Sequence, residues 1–367
     1  MKAFGYGRQS VDATDIEAVV EVLRGDFLTC GPAVAAFERE ICDYTGAKYC
    51  VAVANATAGL HLAALAAGLG PGDEAVTTPI TFLSSANCIT FSGARPIFAD
   101  IDPETANIDP DEVEKRLSPR TKAIVPVHFA GQSCDMARLA AIARARGLVI
   151  IEDAAHALGS DYRGAKVGSC RYSDMTVFSF HPVKTITTGE GGAVTTNDAG
   201  LYEKLRALRA HGVHKDAAMA TSWEYEMREL GFNYRITDFQ CALGVSQMGK
   251  LASFKARRRA IVAHYNAHLG LPHLIEREFS NACFHLYPIL VENRREFYFK
   301  AREKGLNLQV HYIPVHTQPY YRETFGYKPG DYPKAEAYYA KCISLPLYPS
   351  LTDADVEEIV RRVKSIA

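Results

Sequence analysis

Short β-rich runs and amphipathic stretches alternate along the chain between residues 35 and 210. The runs that predict strands are YCVAVA (49–54), EAVTT (74–78), PIFAD (96–100), AIVPVH (123–128), LVIIED (148–153), MTVFSF (175–180) and GAVTT (192–196). Helical patterns lie between most of them, near 57–68, 82–92, 110–117, 135–146 and 198–210, and one more precedes them near 14–24. This alternation is typical of a largely parallel sheet with helices on both faces, so we predict an α/β fold.

The last two predicted strands break the alternation, because no long helix lies between them. The stretch SFHPVKTITTGEGGAVTTND joins them, and such a break often marks a functional loop. A second segment, 214–226 with the lone Trp223, has the composition of a mobile loop.

The pattern changes again from about residue 245. A basic helix (KARRRAIVAHYNAHL), isolated strands (LYPILV and LQVHYIPV) and a terminal helix (351–365) follow. We therefore predict a large domain over 1–245 and a smaller C-terminal α+β domain over 246–367.

Composition excludes several classes of protein. The 367 residues are 48% hydrophobic and 23% charged with a formal net charge of -1, so a nucleic-acid partner is not expected. The nine cysteines form no CxxC pair, which argues against a metal or iron–sulfur site and fits a reducing compartment. The start resembles no signal peptide, and polar residues interrupt the apolar region 50–70. We expect a cytoplasmic protein without a membrane span.

Ligands of open α/β sheets bind outside the carboxyl ends of the strands, so the residues that follow each strand are the candidates for chemistry. The run 49–54 is followed by Asn55-Ala56-Thr57-Ala58-Gly59, which opens a predicted helix. Free backbone N–H groups and the helix dipole at such a turn suit a phosphate. Plain helix capping by Asn55 or Thr57 is the alternative, and the residues alone leave both open.

Two other strand ends carry ionisable side chains. A carboxylate at the end of the run 148–153 is costly unless a positive or hydrogen-bonding group meets it. Asp153 is therefore either a helix cap or the partner of a cationic ligand nitrogen, and His156 nearby is either packed or functional. After the run 175–180 comes Lys184, which either reaches solvent or is buried, with its pKa lowered towards the nucleophilic range.

Together these strand ends match the needs of one cofactor. Pyridoxal 5′-phosphate requires an anchor for its phosphate, an acid that keeps its ring nitrogen protonated, and an amine that bonds to its aldehyde. A phosphate site, a carboxylate and a lysine at three strand ends of one sheet supply that set.

The chain resembles the DegT/StrS-type sugar aminotransferases, a pyridoxal-phosphate family of fold type I, over essentially its whole length. The motifs that carry the resemblance are TTPITFLSSAN (77–87), EDAAHALGS (152–160), SFHPVKTITTGEGGAVTTND (179–198), LRAHG (208–212), GFNYRITDFQCALG (231–244) and LQVHYIPVHTQPYY (308–321). The lysine motif is highly specific for the family. Within the family, the chain is similar to the members that make UDP-4-amino-4,6-dideoxy-N-acetyl-β-L-altrosamine for pseudaminic acid biosynthesis. The stretches that carry this similarity are KTITTGEGG, HALGS and the start FGYG…FLT.

The resemblance implies roles at the cofactor ring. Lys184 matches the lysine that bonds covalently to the cofactor, and Asp153 matches the acid that pairs with the ring nitrogen. His156 matches a position that contacts the ring oxygen, where relatives often have Gln, and Phe82 matches an aromatic residue that stacks on the ring.

The resemblance also implies a phosphate site shared between subunits. Ala56, Thr57 and Ser179 match the phosphate-binding residues, and Asn233 matches an asparagine that reaches the phosphate from the neighbouring subunit. A homodimer with shared active sites is therefore expected.

The implied reaction takes an amino group from L-glutamate to carbon 4 of a UDP-linked 4-keto-6-deoxy-N-acetylhexosamine, with ping-pong kinetics. The residues expected to contact the nucleotide sugar are Tyr6, Leu28, Thr29, Arg235, His311, Tyr312 and His316. The alternatives are that Tyr6 and Tyr312 simply pack and that Arg235 forms a structural ion pair. A sister enzyme that acts on another nucleotide-linked keto sugar, at carbon 3 or 4, fits the same core. A related dehydratase fits poorly, because Lys184 is present and the cysteines are unclustered. A non-enzymatic regulator fits poorly, because Lys184 and Asp153 are both present.

Overall fold

The computed structural model describes residues 2–214 and 222–366. The predicted mobile loop 214–226 therefore falls partly outside the described residues. The strands are β1 Phe4–Gly5, β2 Tyr49–Val53, β3 Glu74–Thr77, β4 Arg95–Phe98, β5 Thr121–Val125, β6 Val149–Asp153, β7 Asp161–Tyr162, β8 Ala165–Lys166, β9 Met175–Ser179, β10 Gly192–Thr196, β11 Val213–His214, β12 Glu226–Met227, β13 Ser280–Asn281, β14 Tyr287–Leu290, β15 Leu306–Asn307 and β16 Cys342–Leu345. The helices are α1 Ala13–Arg24, α2 Pro32–Thr45, α3 Ala56–Ala66, α4 Ser84–Phe91, α5 Pro110–Arg116, α6 Met136–Arg146, α7 Ala199–Arg209, α8 Asp238–Met248, α9 Leu251–His268, α10 Arg294–Glu303, α11 Pro319–Phe325, α12 Pro333–Lys341 and α13 Asp353–Lys364.

The seven strands predicted between residues 49 and 196 form one sheet in the order β2-β10-β9-β6-β5-β3-β4. Neighbouring strands are parallel except at β10, which runs antiparallel to both β9 and β2. The connection without a helix explains that reversal, since a parallel pair needs a long crossover. The predicted α/β fold with a largely parallel sheet is confirmed.

Helices cover both faces of the sheet. Along β9, Val177 packs in the apolar cluster that contains α3, α4 and α7, whereas Phe178 packs with α2 and α8 on the other face. Neighbouring residues of a strand point to opposite faces, so a strand covered on both faces is apolar throughout. Gly59 lets α3 lie close to the sheet, because a Cβ there would be 2.9 Å from a methyl carbon of Val177.

A separate apolar core lies in the C-terminal part, around α9, α13 and the antiparallel pair β14 and β16. Phe4 packs into this core, and its strand β1 pairs with β15. The predicted helices and the strand for LYPILV form, as α9, α13 and β14. The domain limits 1–245 and 246–367 stay a prediction; α8 runs across residue 245.

The strand predicted for LQVHYIPV does not form. A single backbone bridge joins Gln309 to Ser344 there, and β15 ends at Asn307. Pro314 has no N–H to donate to a ladder, and the side chains of residues 309–312 line a cavity instead of a sheet. Among the helices of the described residues, none combines the length and the apolar character needed to cross a membrane.

Candidate active site

A cavity of about 900 Å³ opens at the carboxyl ends of β2, β6 and β9. Ten predicted site residues line it: Tyr6, Ala56, Thr57, Phe82, Asp153, His156, Ser179, Lys184, His311 and Tyr312. The fold thus places residues from three strand ends and from both halves of the sequence around one space. Within the described ranges, no cluster of three or more His, Cys, Asp or Glu side chains is arranged to hold a metal ion.

Five predicted site residues lie outside the lining of this cavity. Leu28 and Asn233 are exposed, and Thr29 forms a backbone bridge with Thr237. Arg235 is partly buried and follows Tyr234, which does line the cavity.

The fifth of these residues, His316, is fully buried in the C-terminal part. Its Nε2 atom lies 3.0 Å from Glu336 Oε1, and its ring meets that of Tyr332 edge-on. The contacts of His316 in this subunit are therefore with its own core, away from the cavity.

The turn from β2 into α3 has the geometry of an anion site. Asn55 Oδ1 accepts a hydrogen bond of 2.9 Å from Ala58 N, so Asn55 does cap the helix. Ala56 and Thr57 at the helix start line the cavity, and free N–H groups at a helix start suit a phosphate. Gly192 makes room for this turn, since a Cβ there would lie 2.7 Å from Ala56 N. Capping and anion binding are therefore compatible at this turn.

Asp153 ends β6 with only 4% of its surface exposed. Its Oδ1 accepts from Ala155 N at 3.0 Å, and its Oδ2 accepts from Ser85 Oγ at 2.5 Å. A run of turns, rather than a helix, follows it, so Asp153 caps no helix. Its two hydrogen bonds stabilise a negative charge at this wall of the cavity.

Lys184 lies in the connection between β9 and β10, where its backbone N donates to His181 O at 2.9 Å. Burial lowers the pKa of Lys184 to about 8, and the negative charge of Asp153 opposes this shift. A lysine with such a pKa is neutral in a useful fraction of molecules near neutral pH, as a nucleophile or proton carrier requires.

Three buried histidines surround the same space. The rings of His156 and His285 lie 4.4 Å apart, and His156 Nε2 is 3.1 Å from the Tyr312 hydroxyl. Burial is the main cause and the positive charge of Lys184 the second cause that hold the pKa of His156 and of His285 well below the usual range. The same two causes lower the pKa of His311 to about 3. These imidazoles are therefore neutral at neutral pH.

The structure adds residues that the sequence did not indicate. Ser85 holds Asp153, and His285 packs on His156, although neither was singled out. Ser85 falls within the motif TTPITFLSSAN, so a hydroxyl beside Phe82 was a usable signal. His285 gave none, because its approach to His156 depends on how the C-terminal part packs.

The residues present fit pyridoxal 5′-phosphate. The start of α3 offers an anion site, Asp153 a carboxylate and Lys184 an amine, and the Phe82 ring, 59% exposed, borders the cavity. Among the described residues, the buried His156 Nδ1 has no hydrogen-bond partner, so it is available to a polar group of a ligand. Fold and site together define a pyridoxal-phosphate-dependent enzyme of fold type I.

Comparison with known proteins agrees with this class. Residues 9–364 match the model of the DegT/DnrJ/EryC1/StrS aminotransferase family, and the chain belongs to that family. The spore coat polysaccharide biosynthesis protein SpsC of Bacillus subtilis is 42% identical over 376 residues, which cover 98% of this chain and 96% of SpsC.

Solved structures extend the agreement to three dimensions. Helicobacter pylori PseC, an aminotransferase of pseudoaminic acid biosynthesis, has a TM-score of 0.93 at 33% identity and covers 100% of this chain and 99% of its own. The putative sugar aminotransferase Spr1654 of Streptococcus pneumoniae, in its PMP form, has a TM-score of 0.93 at 32% identity over 98% of both chains. The same protein is also known in a PLP form. This chain is therefore a PLP-dependent sugar aminotransferase, which confirms the family, activity and cofactor predicted from sequence.

Proposed function

We propose that the enzyme transfers an amino group from L-glutamate to carbon 4 of a UDP-linked 4-keto-6-deoxy-N-acetylhexosamine, a step of pseudaminic acid biosynthesis. The observation that carries the proposal is the match to Helicobacter pylori PseC along the whole of both chains. The cavity volume of about 900 Å³ supports it, since pockets for small molecules and cofactors span about 300–1,000 Å³.

In this proposal the cofactor is held from three sides. Ala56, Thr57 and Ser179 bind its phosphate at the start of α3 and the end of β9. Thr57 is oriented for this role by its hydroxyl, which lies 2.7 Å from Ser84 Oγ. Phe82 stacks on the ring, where its exposed face borders the cavity.

Asp153 and His156 meet the polar edge of the ring. Asp153 keeps a proton on the ring nitrogen, and His156 contacts the ring oxygen. When bound, the cofactor supplies an electron sink that stabilises negative charge on the carbon that loses a proton. Because burial keeps the His156 imidazole neutral, it adds no second positive charge beside Lys184.

Lys184 moves the proton. Its Nζ would take the proton from the α-carbon of the amino donor as a general base and would deliver it, as a general acid, to the carbon of the bound cofactor that carries the nitrogen. The same amine serves in reverse order when the keto sugar accepts the nitrogen. A pKa of about 8 places both protonation states within reach near neutral pH.

The sugar nucleotide is proposed to enter past Tyr6, His311 and Tyr312, which line the cavity. The ring of His311 lies 5.0 Å from that of Tyr6, and its Nδ1 is 2.9 Å from Ser344 Oγ, so its orientation is fixed. Four other residues were predicted to contact the same substrate but do not reach the cavity within one subunit: Leu28, Thr29, Arg235 and His316.

We further propose a homodimer with shared active sites. Asn233 is exposed, and in the family pattern such an asparagine reaches the phosphate of the neighbouring subunit. Three large apolar side chains are exposed as well: Phe27, Leu28 and Leu230. Exposed apolar side chains suit a surface that is covered by a second copy of the chain.

The experiment that tests the substrate offers the purified enzyme pyridoxal phosphate and L-glutamate, then the 4-keto product of a UDP-N-acetylglucosamine 4,6-dehydratase that inverts carbon 5. Mass spectrometry and NMR should identify a UDP-linked 4-amino-altrosamine, and Lys184→Ala should give none. If glutamate converts the cofactor to its pyridoxamine form but that sugar is untouched, the substrate assignment fails. The alternative is then a sister enzyme for another nucleotide-linked keto sugar.

A further inference from the structure

Two buried hydroxyl groups lie behind the carboxylate of Asp153. Ser85, in the first turn of α4, places its Oγ 2.5 Å from Asp153 Oδ2, and Thr81 places its Oγ1 2.6 Å from Ser85 Oγ. Ser85 is fully buried and Thr81 is 2% exposed, so water does not compete for these bonds.

The direction of the hydrogen bonds follows from proton counting. An ionised carboxylate only accepts, so Ser85 must donate its single hydroxyl hydrogen to Asp153. Thr81 is then the donor to Ser85. The chain of donors runs from Thr81 through Ser85 to Asp153, and each bond polarises the next.

We propose that Thr81 and Ser85 form a hydroxyl relay that orients Asp153 and holds its negative charge towards the ring nitrogen of the cofactor. This inference rests on the proposed role of Asp153. Ser85 and Thr81 are positioning residues in it, since they act through the carboxylate.

The chemical consequence concerns where one proton lies. The proton between the ring nitrogen and Asp153 can sit on nitrogen, next to a carboxylate, or on oxygen, next to a neutral ring. Donation from Ser85 stabilises the carboxylate and so favours the proton on nitrogen. Ala155 N, on the other oxygen, acts in the same direction and fixes the plane of the carboxylate.

The test is ¹⁵N NMR of the holoenzyme loaded with ring-¹⁵N pyridoxal phosphate, which reports protonation of the ring nitrogen directly. Ser85→Ala should move the resonance from the protonated position towards the unprotonated one. Turnover should fall about ten- to a hundredfold, as expected for the loss of one hydrogen bond to a charged group. Ser85→Thr retains the hydroxyl and should restore both.

Three further variants separate the possible outcomes. Thr81→Val removes only the outer hydroxyl and should give a smaller shift of the same sign, which keeps the test valid if Ser85→Thr does not fold. Ser92→Ala removes a hydroxyl group that donates to Ile89 O at the other end of α4. This variant should change neither the resonance nor the turnover. Asp153→Asn should shift the resonance more than any of them.

Each failure has a distinct meaning. If Asp153→Asn leaves the resonance in place, the proposed role of Asp153 is wrong. If Asp153→Asn shifts it but a folded Ser85→Ala holoenzyme does not, Asp153 keeps its role and the relay is wrong. A loss of turnover in Ser85→Ala without a change in the resonance also overturns the relay.

Discussion

The position of Lys184 in the cavity wall predicts a stability cost that can be measured without the reaction. In the cofactor-free protein the amine is held where its charged form is poorly solvated, and burial lowers its pKa from 10.5 to about 8. Lys184→Met keeps the length of the side chain and removes the charge. We therefore expect Lys184→Met to be more stable than the wild type at neutral pH.

The magnitude follows from the pKa shift. At about 1.4 kcal/mol for each pH unit, lowering the pKa of Lys184 from 10.5 to about 8 corresponds to about 3 kcal/mol. The Lys184 side chain keeps partial contact with solvent, so about 1–3 kcal/mol is the expected gain at pH 7. Between about pH 8 and 10.5 the unfolded wild type binds more protons than the folded one, so its stability rises with pH. The advantage of the variant should therefore shrink by about 1 kcal/mol between pH 7 and pH 9.

The assay is urea unfolding of both cofactor-free proteins at pH 7 and pH 9, followed by far-ultraviolet circular dichroism. Fluorescence is a poor probe, because the lone Trp223 is 88% exposed in the folded chain. Lys48→Met, at an exposed lysine, controls for the loss of a surface charge. The reasoning is refuted if Lys184→Met is no more stable at pH 7, or if its advantage does not diminish at pH 9.

Three further outcomes are expected. Lys184→Ala should abolish turnover and the absorbance band of the covalently attached cofactor; an active variant contradicts the assignment. Asn233→Ala should raise the Kd for pyridoxal phosphate, and mixing it with Lys184→Ala subunits should restore part of the activity; no recovery in verified mixed dimers counts against a shared site. Gly192→Ala should weaken cofactor binding about tenfold, because overpacking costs about 1–3 kcal/mol and its Cβ would press on Ala56 N. Equilibrium dialysis measures this, with Gly70→Ala as the control, since a Cβ there meets no atom within 4 Å.

The central sheet was predictable because its strands are covered on both faces and are therefore short, continuous apolar runs. Val177 and Phe178, which face opposite cores, both contribute to that signal. The segment 308–315 gave the same signal and is not a strand. Val310 and Tyr312 line the cavity, whereas Leu308 and Val315 pack in apolar cores. Composition alone does not distinguish these kinds of burial from burial in a sheet.

The site was predictable where it follows the strand ends. Asp153 and Lys184 come directly from that rule, and the structure places both in one cavity. Ser85 and His285 were not predicted, since their importance lies in contacts that only the folded chain creates. The contact of Asn233 with the cofactor phosphate remains a prediction, because that phosphate belongs to the site of a second subunit.

The antiparallel insertion of β10 has a consequence for the order of folding. Among the described strands, the edge strand β2 pairs with β10 alone, in a register that joins Val53 to Gly192, so this pairing must close a very long loop. Strands β3, β4, β5 and β6 are consecutive in sequence and form one continuous part of the sheet, in the order β6-β5-β3-β4, and their lower contact order lets them assemble first. Because β2 carries the start of α3, we expect a nascent chain to acquire the proposed phosphate-binding end only after Thr196 has been synthesised. Cofactor capture would then be a late event, and a ribosome-bound chain that stops before Gly192 should not retain pyridoxal phosphate.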